Sequence, residues 1–396
     1  MVWTMTEKTG SRSGFILVVI SHALNHMYDA LIPILYPPIM SEFSLTYSMV
    51  GMLAMGYRMS SAALQLLMGF LGRFVRRKIL LSFGMIWQCS SNSFTAFAQT
   101  FQHVLISRSL AGIGSSPQHP TGSSFIAENF PRERVGRALG INIAGGMAGG
   151  FIAPFLGTFI LQLMGWRTSV LMFSIPGLLV GVAFLFVREQ KRSQAWSGAS
   201  SLSVMIEGLH EVFRNRIVLG VMLLETVMAF RMGARDFLPS YFINNLQLTP
   251  VESGMVFTLF VAAGVPAPYF WGYLSDKMER RKIVILVMAA SALLWYTLSF
   301  ATNIPQLLLV LLPIGFVGQG VGGVIQGFVA EATTGENRDL IYGIYFTLAF
   351  TLGSFSPFIM GFISDSYGFQ ATFTWVAFVS ILSVVLAVLL LRQKHD

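Results

Sequence analysis

Long apolar segments alternate with short polar ones along nearly the whole chain of 396 residues. Each apolar segment holds roughly 20 or more residues, which is the length an α-helix needs to cross about 30 Å of hydrocarbon. The twelve segments lie near residues 14–39, 47–72, 79–99, 103–127, 138–163, 168–187, 217–243, 251–275, 283–302, 305–330, 340–363 and 370–391. The pattern predicts an all-α membrane protein with twelve transmembrane helices.

The second half of the chain repeats the first at an offset of 203 residues, as in Gly165 and Gly368 or Gly112 and Gly315. Six spans separate the copies, so both halves should have the same orientation in the membrane, as in transporters built from parallel repeats. The predicted segments are a cytoplasmic N-terminus (1–13), a six-helix half (14–187), a cytoplasmic linker (188–216), a second six-helix half (217–391) and a cytoplasmic C-terminus (392–396).

Composition and charge support this prediction. Hydrophobic residues make up 54% of the chain and charged residues 11%, against about 25% charged in soluble domains. Of the 26 Lys and Arg residues, all but five fall in segments on the side of the N-terminus. By the positive-inside rule this predicts that both termini are cytoplasmic in a cytoplasmic (inner) membrane. The distribution explains the net charge of +8 without a nucleic-acid partner.

The loop Gly272-Tyr-Leu-Ser-Asp276-Lys-Met-Glu-Arg280-Arg281-Lys resembles the loop signature of the major facilitator superfamily. Its first-half copy departs from that pattern, because Arg73 stands where the family has aspartate. The resemblance implies two six-helix halves related by a pseudo-two-fold axis and a cytoplasmic gate at these loops. The candidate gate residues are Gly69, Arg73, Arg77, Glu128, Gly272, Asp276, Arg280, Arg281 and Glu331.

Two parts of this gate prediction concern contacts. The glycines are expected to let two helices approach closely. Glu128 is expected to pair with the basic loop of the first half, and Glu331 with that of the second. Both glutamates could equally be solvated charges at helix ends.

Two further motifs resemble family signatures. Arg108-Ser-Leu-Ala-Gly112-Ile-Gly in span 4 resembles one whose arginine is associated with proton coupling. A structural arginine that reaches the outer interface is the alternative. Span 5 resembles a pattern of proton-driven drug antiporters, which ordinary helix packing explains about as well. The packing or hinge candidates are Gly149, Gly150, Pro154, Gly157, Gly353 and Pro357.

The segments His22-Ala-Leu-Asn25-His26 and Gly112-Ile-Gly-Ser-Ser-Pro-Gln118-His119-Pro look like the fosmidomycin-resistance branch of the superfamily. Members of that branch are taken to export an anionic phosphonate antibiotic in exchange for protons. The resemblance therefore implies an anion as the solute.

Span 1 carries a polar stripe on an otherwise apolar helix. His22, Asn25, His26 and Asp29 fall within an arc of about 100° on the helix. Asp29 lies near mid-membrane, where it is the best candidate for a proton site; a structural salt bridge to Arg58 is the alternative. The two histidines could relay protons, bind an anion or simply pack.

Span 7 also contains ionisable residues, including Glu225, Arg231, Arg235 and Asp236. They make sense if this span lines the cavity opposite span 1, although Arg235 and Asp236 would instead form an external gate if they lie at the outer surface. The proton-coupling candidates are Asp29, Glu225, His22, His26 and Arg108. The substrate-binding candidates are Arg58, His119, Gln118, Asn142, Arg231, Arg235, Gln319, Gln326 and Asn25.

Signatures of catalysis are missing from the sequence. We find no phosphate-cradling loop, no complete set of histidines and cysteines at metal-ligand spacing and no nucleophile with a base, so we expect no enzyme activity, no cofactor and no metal site. The sequence predicts a monomeric secondary active transporter in the lipid bilayer that works by alternating access. It would exchange protons for a small anionic organic solute, and the expected direction of solute transport is outward. Uptake of an organic anion or a sugar-like solute, and a non-transporting receptor or structural protein, remain as alternatives.

Overall fold

The computed structural model describes residues 12–72, 74–189, 214–332 and 338–391. The predicted linker (188–216) falls largely outside the described residues, as do Arg73 and most of the predicted terminal segments. In chain order the helices are α1 (Arg12–Phe43), α2 (Tyr47–Leu71), α3 (Arg77–Thr95), α4 (Phe101–Ser115), α5 (Gln118–Asn129), α6 (Arg132–Leu185), α7 (Arg216–Ala229), α8 (Ala234–Asn244), α9 (Pro250–Gly264), α10 (Ala267–Lys277), α11 (Arg280–Leu298), α12 (Ile304–Gly318), α13 (Val321–Ala332), α14 (Arg338–Gly353) and α15 (Ser356–Leu390).

Each predicted span coincides with one helix, a pair of consecutive helices or part of a long helix, so the all-α transmembrane fold is confirmed. Seven helical stretches of the described residues are long and apolar enough by themselves to cross a membrane. Span 4 is broken between α4 and α5 at Ser116 and Pro117. Two prolines, Pro117 and Pro120, flank His119 at this break, and proline disrupts a continuous helix.

Two of these stretches are double-length, and a single glycine divides the helix in each. Gly165 has φ 79° and ψ 170° inside α6, and Gly368 has φ 78° and ψ 175° inside α15. A side chain would strain this backbone conformation, so glycine is the residue that permits it. The two glycines are repeat partners, and each joins two spans without a loop.

The chain divides into two compact units. Among described residues, the first comprises those of Met1–Leu45, Met52–Gln194 and Gln247–Met255. The second comprises those of Thr46–Gly51, Ala195–Leu246 and Val256–Asp396. In the first unit α6 packs along α1 and α3, and α3 also contacts α4. In the second unit α15 packs along α11 and α7, and α7 also contacts α14.

Glycines bring α6 against α1 in the first unit. A Cβ atom at Gly149 would lie 2.0 Å from the carbonyl oxygen of Ala23, and one at Gly157 would lie 2.4 Å from Cδ1 of Leu31. The two helices can lie this close together only because these two positions have no side chain. Pro154 lies between them, and its carbonyl accepts a hydrogen bond from Thr158 at 2.7 Å.

The second unit contains comparable close contacts. A Cβ at Gly353 would lie 2.8 Å from Cβ of Ala229, and one at Gly233 would lie 2.5 Å from the nitrogen of Pro357. Pro357 falls in the first turn of α15, where a helix needs no backbone donor. Gly353 and Pro357 therefore lie at close helix contacts, at the end of α14 and the start of α15.

Three of the candidate glycines have no close helix contact among the described residues. At Gly150 and Gly272 a Cβ would have nothing within 4 Å among the described atoms, and at Gly69 it would only touch Pro120 at an ordinary 3.6 Å. The rotation of each helix decides which glycine of a motif faces a neighbour. Gly149 faces α1, whereas the adjacent Gly150 does not.

Repeat partners make the same local contacts in both units. A Cβ at Gly112 would lie 2.1 Å from the carbonyl oxygen of Tyr57, and one at Gly315 would lie 2.3 Å from that of Phe260. Thr100 caps the start of α4, and its partner Asn303 caps α12 with nearly the same backbone angles. The duplication seen in the sequence therefore extends to individual contacts.

Replacing Gly149 with alanine should destabilise the protein, because the new methyl group would collide with the backbone of α1. Overpacking of this kind costs about 1–3 kcal/mol. Gly150→Ala is the matched control; it should be neutral or slightly stabilising, because alanine favours a helix over glycine by up to about 1 kcal/mol. Thermal unfolding in detergent measures both, and equal effects of the two substitutions would contradict the packing described here.

Candidate functional site

Three histidines come together in the first unit, where α1 meets α5. His22 and His26 lie one turn apart on α1, and His119 lies in the first turn of α5. The ligand nitrogens of all three lie within 4.8 Å of one another. His22 is buried, His26 is half-buried and His119 is exposed, so the cluster is open on the His119 side.

The protonation of His22 follows from its hydrogen bond. Its Nδ1 lies 2.8 Å from the backbone oxygen of Asn142 on α6. A carbonyl oxygen only accepts hydrogen bonds, so Nδ1 carries the proton. In the neutral ring the lone pair is then on Nε2, which lies 3.1 Å from Nε2 of His26.

Asn25 links the histidine helix to a buried polar network. Its Nδ2 donates to Oγ of Ser115 at 3.0 Å and to Oε1 of Gln88 at 3.3 Å. Gln88 in turn donates to the hydroxyl of Tyr57 at 3.1 Å. These contacts join α1, α2, α3 and α4 through side-chain hydrogen bonds.

Arg108 belongs to the same network. It is buried, its Nη1 donates to Oδ1 of Asn92 at 3.0 Å, and its guanidinium lies 4.4 Å from the ring centroid of Tyr57. The alternative in which this arginine extends outward to the interface is therefore wrong. Stacking on an aromatic face suits a desolvated guanidinium.

Asp29 and Arg58 are both half-buried. Asp29 interacts electrostatically with Tyr57 of the hydrogen-bonded network and with His119 of the histidine cluster. Gln118 is buried, and its Nε2 lies 3.5 Å from the carbonyl oxygen of Val18 on α1. This contact places Gln118 between α5 and α1.

Several members of this site are not among the residues predicted from the sequence. Tyr57, Gln88 and Asn92 did not stand out, although polar residues at positions 88 and 92 of an apolar span, one helical turn apart, are the kind of signal that could have found them. The His22-x₃-His26 spacing is a similar signal for a histidine pair. Nothing in the sequence connects that pair with His119.

The ionisable residues predicted within span 7 lie around the break between α7 and α8. Glu225 and Arg231 interact electrostatically, and Tyr345 is a hydrogen-bond partner of Glu225. Arg235 is half-buried and Asp236 is buried, which does not fit the alternative in which this pair forms an exposed external gate. Of the two predicted amide ligands, Gln319 is exposed and Gln326 is half-buried.

At the predicted cytoplasmic loop of the first unit, Arg77 and Glu128 form an ion pair of 2.8 Å. Glu128 therefore pairs with a cation of the basic loop, as expected. Glu189 accepts hydrogen bonds from the backbone nitrogens of Arg77 and Lys78 at 3.0 and 3.1 Å, which caps the start of α3.

In the second unit, Arg280 and Asp276 are 4.0 Å apart. Arg281 donates to the carbonyl oxygens of Ala387 and Val388 near the end of α15. Its repeat partner Lys78 does the same at Leu185 and Val187, at the end of α6. The side chain of Glu331 lies outside the described residues, so its predicted pairing stays a prediction.

Comparison with known families assigns the chain. Residues 18–243 and 237–396 match the Major Facilitator Superfamily. The chain belongs to this superfamily. The resemblance inferred from the loop motif is thus confirmed, and membership agrees with the two six-helix halves and the repeat contacts described above.

Individual relatives of this superfamily member are transporters. The fosmidomycin resistance protein of Escherichia coli (strain K12) is 25% identical over 96% of this chain and 92% of its own length. The sialic acid transporter NanX of the same organism is 24% identical over 74% of this chain and 72% of its own. These relatives support a function in membrane transport rather than in enzyme catalysis.

Solved structures confirm the fold. A bacterial homologue of the human lysosomal transporter Spinster, crystallised in an inward-facing and unoccupied conformation, superposes with a TM-score of 0.80. The match covers 96% of both chains at 16% identity, so it establishes the shared fold alone.

The Arg77–Glu128 pair should contribute measurably to stability. Arg77 is largely buried, with its side chain 9% exposed, and Glu128 is 35% exposed, so we expect a coupling energy of about 0.5–1 kcal/mol in a double-mutant cycle. The variants are Arg77→Ala, Glu128→Ala and their combination, measured by unfolding. The pair Lys282–Glu279, in which Lys282 is 68% exposed, is the control. A coupling no larger than that of the control would show that the pair is only a surface contact.

Proposed function

We propose that this protein is a proton-coupled antiporter that exports a small anionic organic compound, such as a phosphonate, by alternating access. The observation that carries the proposal is the set of ionisable side chains held inside the membrane-spanning helices. Asp29, Arg58 and the three histidines lie in one unit, and Glu225, Arg231 and Arg235 lie in the other. Charged groups are costly at such depth and mark solute or proton pathways.

Asp29 is the proposed proton carrier. It is half-buried and interacts electrostatically with Tyr57 and His119, and a carboxyl group changes charge when it takes up a proton. Arg108 stays protonated and would act through the network that it shares with Tyr57. His22, His26 and Glu225 are the further candidates for proton transfer.

The arginines are the proposed anion ligands. Guanidinium groups bind phosphonate and carboxylate groups with paired hydrogen bonds, and Arg58, Arg231 and Arg235 are placed within predicted spans. His119, Asn25, Asn142 and the glutamines 118, 319 and 326 would add hydrogen bonds. The similarity to the fosmidomycin resistance protein supports a phosphonate as the first compound to test.

Uptake of an organic anion or a sugar-like solute is the second candidate. It is favoured by the similarity to the sialic acid transporter and to a probable L-galactonate transporter, both of Escherichia coli (strain K12). The same ionisable residues suit either direction. Direction depends on which combinations of proton and solute the protein can carry.

The proposal includes a location and an assembly state. We infer that the protein spans a cytoplasmic (inner) membrane with both termini in the cytoplasm, because its cations concentrate on that side. It would act as a monomer, since one chain holds both six-helix halves.

Asp29→Asn should abolish proton coupling without loss of folding, because the amide has the same shape but takes up no proton. The assay is fosmidomycin flux in proteoliposomes with an imposed pH gradient, which is then collapsed or reversed. The native protein should move the compound against the proton flow, and the variant should show no dependence on the gradient. Glu279→Gln, at the start of α11, is the control that should keep it. Unchanged pH dependence in Asp29→Asn would refute the assignment.

Arg58→Ala should weaken binding of an anionic solute by about 10- to 100-fold, the loss expected when a charged hydrogen bond of about 1.5–3 kcal/mol is removed. A neutral solute of similar size should lose much less. Arg188→Ala removes an exposed arginine and should change neither affinity. Binding to protein in nanodiscs measures the effect, and equal losses for both solutes would indicate a packing role.

A further inference from the structure

We propose that His22, His26 and His119 form a binding site for a divalent first-row transition metal ion, with Zn²⁺ as the best fit. This goes beyond the proposed transport function and does not depend on it. The carrying observation is that one ligand nitrogen from each ring lies within 4.8 Å of the others.

The rings are arranged so that their nitrogens can converge. The centroids lie 4.8 Å (His22 and His26), 5.1 Å (His22 and His119) and 5.7 Å (His26 and His119) apart, with interplanar angles of 66°, 89° and 76°. Zn–N bonds of about 2.0–2.1 Å in tetrahedral geometry place two ligand nitrogens about 3.3 Å apart. The Nε2 atoms of His22 and His26 are separated by 3.1 Å, so this pair needs almost no adjustment.

His22 is already held in the form that binds metal. Its Nδ1 donates to the backbone oxygen of Asn142, which leaves the lone pair on Nε2, the atom that faces His26. Metal-bound histidines characteristically donate their second ring nitrogen to a carbonyl or carboxylate, and this contact fixes both tautomer and ring orientation. The hydrogen bond from His22 to the backbone oxygen of Asn142 already provides this support when no metal is bound.

The helices around the three histidines also leave room for a shared ion. His22 and His26 are four residues apart on α1, the spacing at which two histidines on one helical face can share a zinc ion. Gly146 of α6 makes room for their rings, because a Cβ there would lie 2.8 Å from Cδ2 of His26 and 3.0 Å from Cε1 of His22. His119 is exposed, so the ligand set is accessible on that side.

The ligand set decides the class of metal. Three imidazoles suit Zn²⁺, Cu²⁺ and Ni²⁺, whereas Mg²⁺ and Ca²⁺ require oxygen ligands. Three protein ligands leave the fourth position of a tetrahedral ion open for water or another small ligand. We therefore expect one exchangeable ion per chain.

The test is direct metal binding by the full chain. The protein is purified with an affinity tag that contains no histidines, stripped with EDTA, placed in nanodiscs and titrated with Zn²⁺ in a calorimeter. Co²⁺ then serves as a spectroscopic probe, because its absorption reports tetrahedral coordination. We expect one Zn²⁺ per chain and a tetrahedral Co²⁺ spectrum that Zn²⁺ abolishes.

Variants locate the ion. His119→Asn should lower the affinity by at least about 100-fold, since loss of even a supporting contact costs about 10- to 100-fold. This residue is exposed, so the substitution should spare folding, which the melting temperature checks. Gly146→Ala keeps all three ligands but crowds their rings, and should also weaken binding.

His103→Asn, at an exposed position of α4, is the matched control and should bind Zn²⁺ as the native protein does. Absence of Zn²⁺ binding by the native protein would overturn the proposal. So would binding that survives His119→Asn but is lost in His210→Asn or His395→Asn, because the ion would then occupy a different site.

Discussion

Polar groups inside a lipid bilayer find partners only within the protein, and this constraint governs the first unit. Within the hydrocarbon no water is available to satisfy a side chain or a backbone amide. Asn25, Gln88, Tyr57 and Arg108 accordingly form a continuous network across four helices. The network requires α1 to lie close to its neighbours, and Gly149 allows that approach on the α6 side. Packing and polar chemistry are thus two parts of one arrangement.

The two halves share their packing contacts and helix caps more closely than their ionisable residues. Glycine contacts, helix caps and the cations at the ends of α6 and α15 recur at an offset of 203 residues. The ionisable residues within the spans do not recur as the same residue types. The first unit carries the histidine cluster and the second carries Glu225 and Arg231, whose partners at that offset are His22 and Tyr28. After duplication, the contacts that hold helices together were retained while the polar groups diverged.

The architecture could be predicted from the sequence because it depends on properties that are local in the chain. Span length, the proline break beside His119 and the spacing of repeated glycines need no knowledge of neighbours. The candidate site is different. His119 lies far beyond His26 in the sequence, and only the packing of α5 against α1 brings them together.

The contacts that could not be predicted share one cause, which is that they form only when the helices pack together. Gly149 and Gly150 are adjacent and chemically identical, yet only the rotation of α6 decides that one faces a helix and the other does not. In the sequence, Tyr57 looks like any other aromatic residue of an apolar span. Its role in the network is visible only in the structure, where its hydroxyl accepts a hydrogen bond from Gln88. Side-chain partners are properties of the assembled unit, which a linear pattern does not contain.

The single-residue junctions at Gly165 and Gly368 have a consequence for movement. A flexible loop would let one helix tilt while the next stays in place, whereas a junction of one residue has no slack to absorb such a displacement. The two spans of α6 are therefore mechanically coupled at their shared end, and so are those of α15. Any tilting of span 5 during a transport cycle must be passed to span 6, and the duplication installed the same linkage between spans 11 and 12.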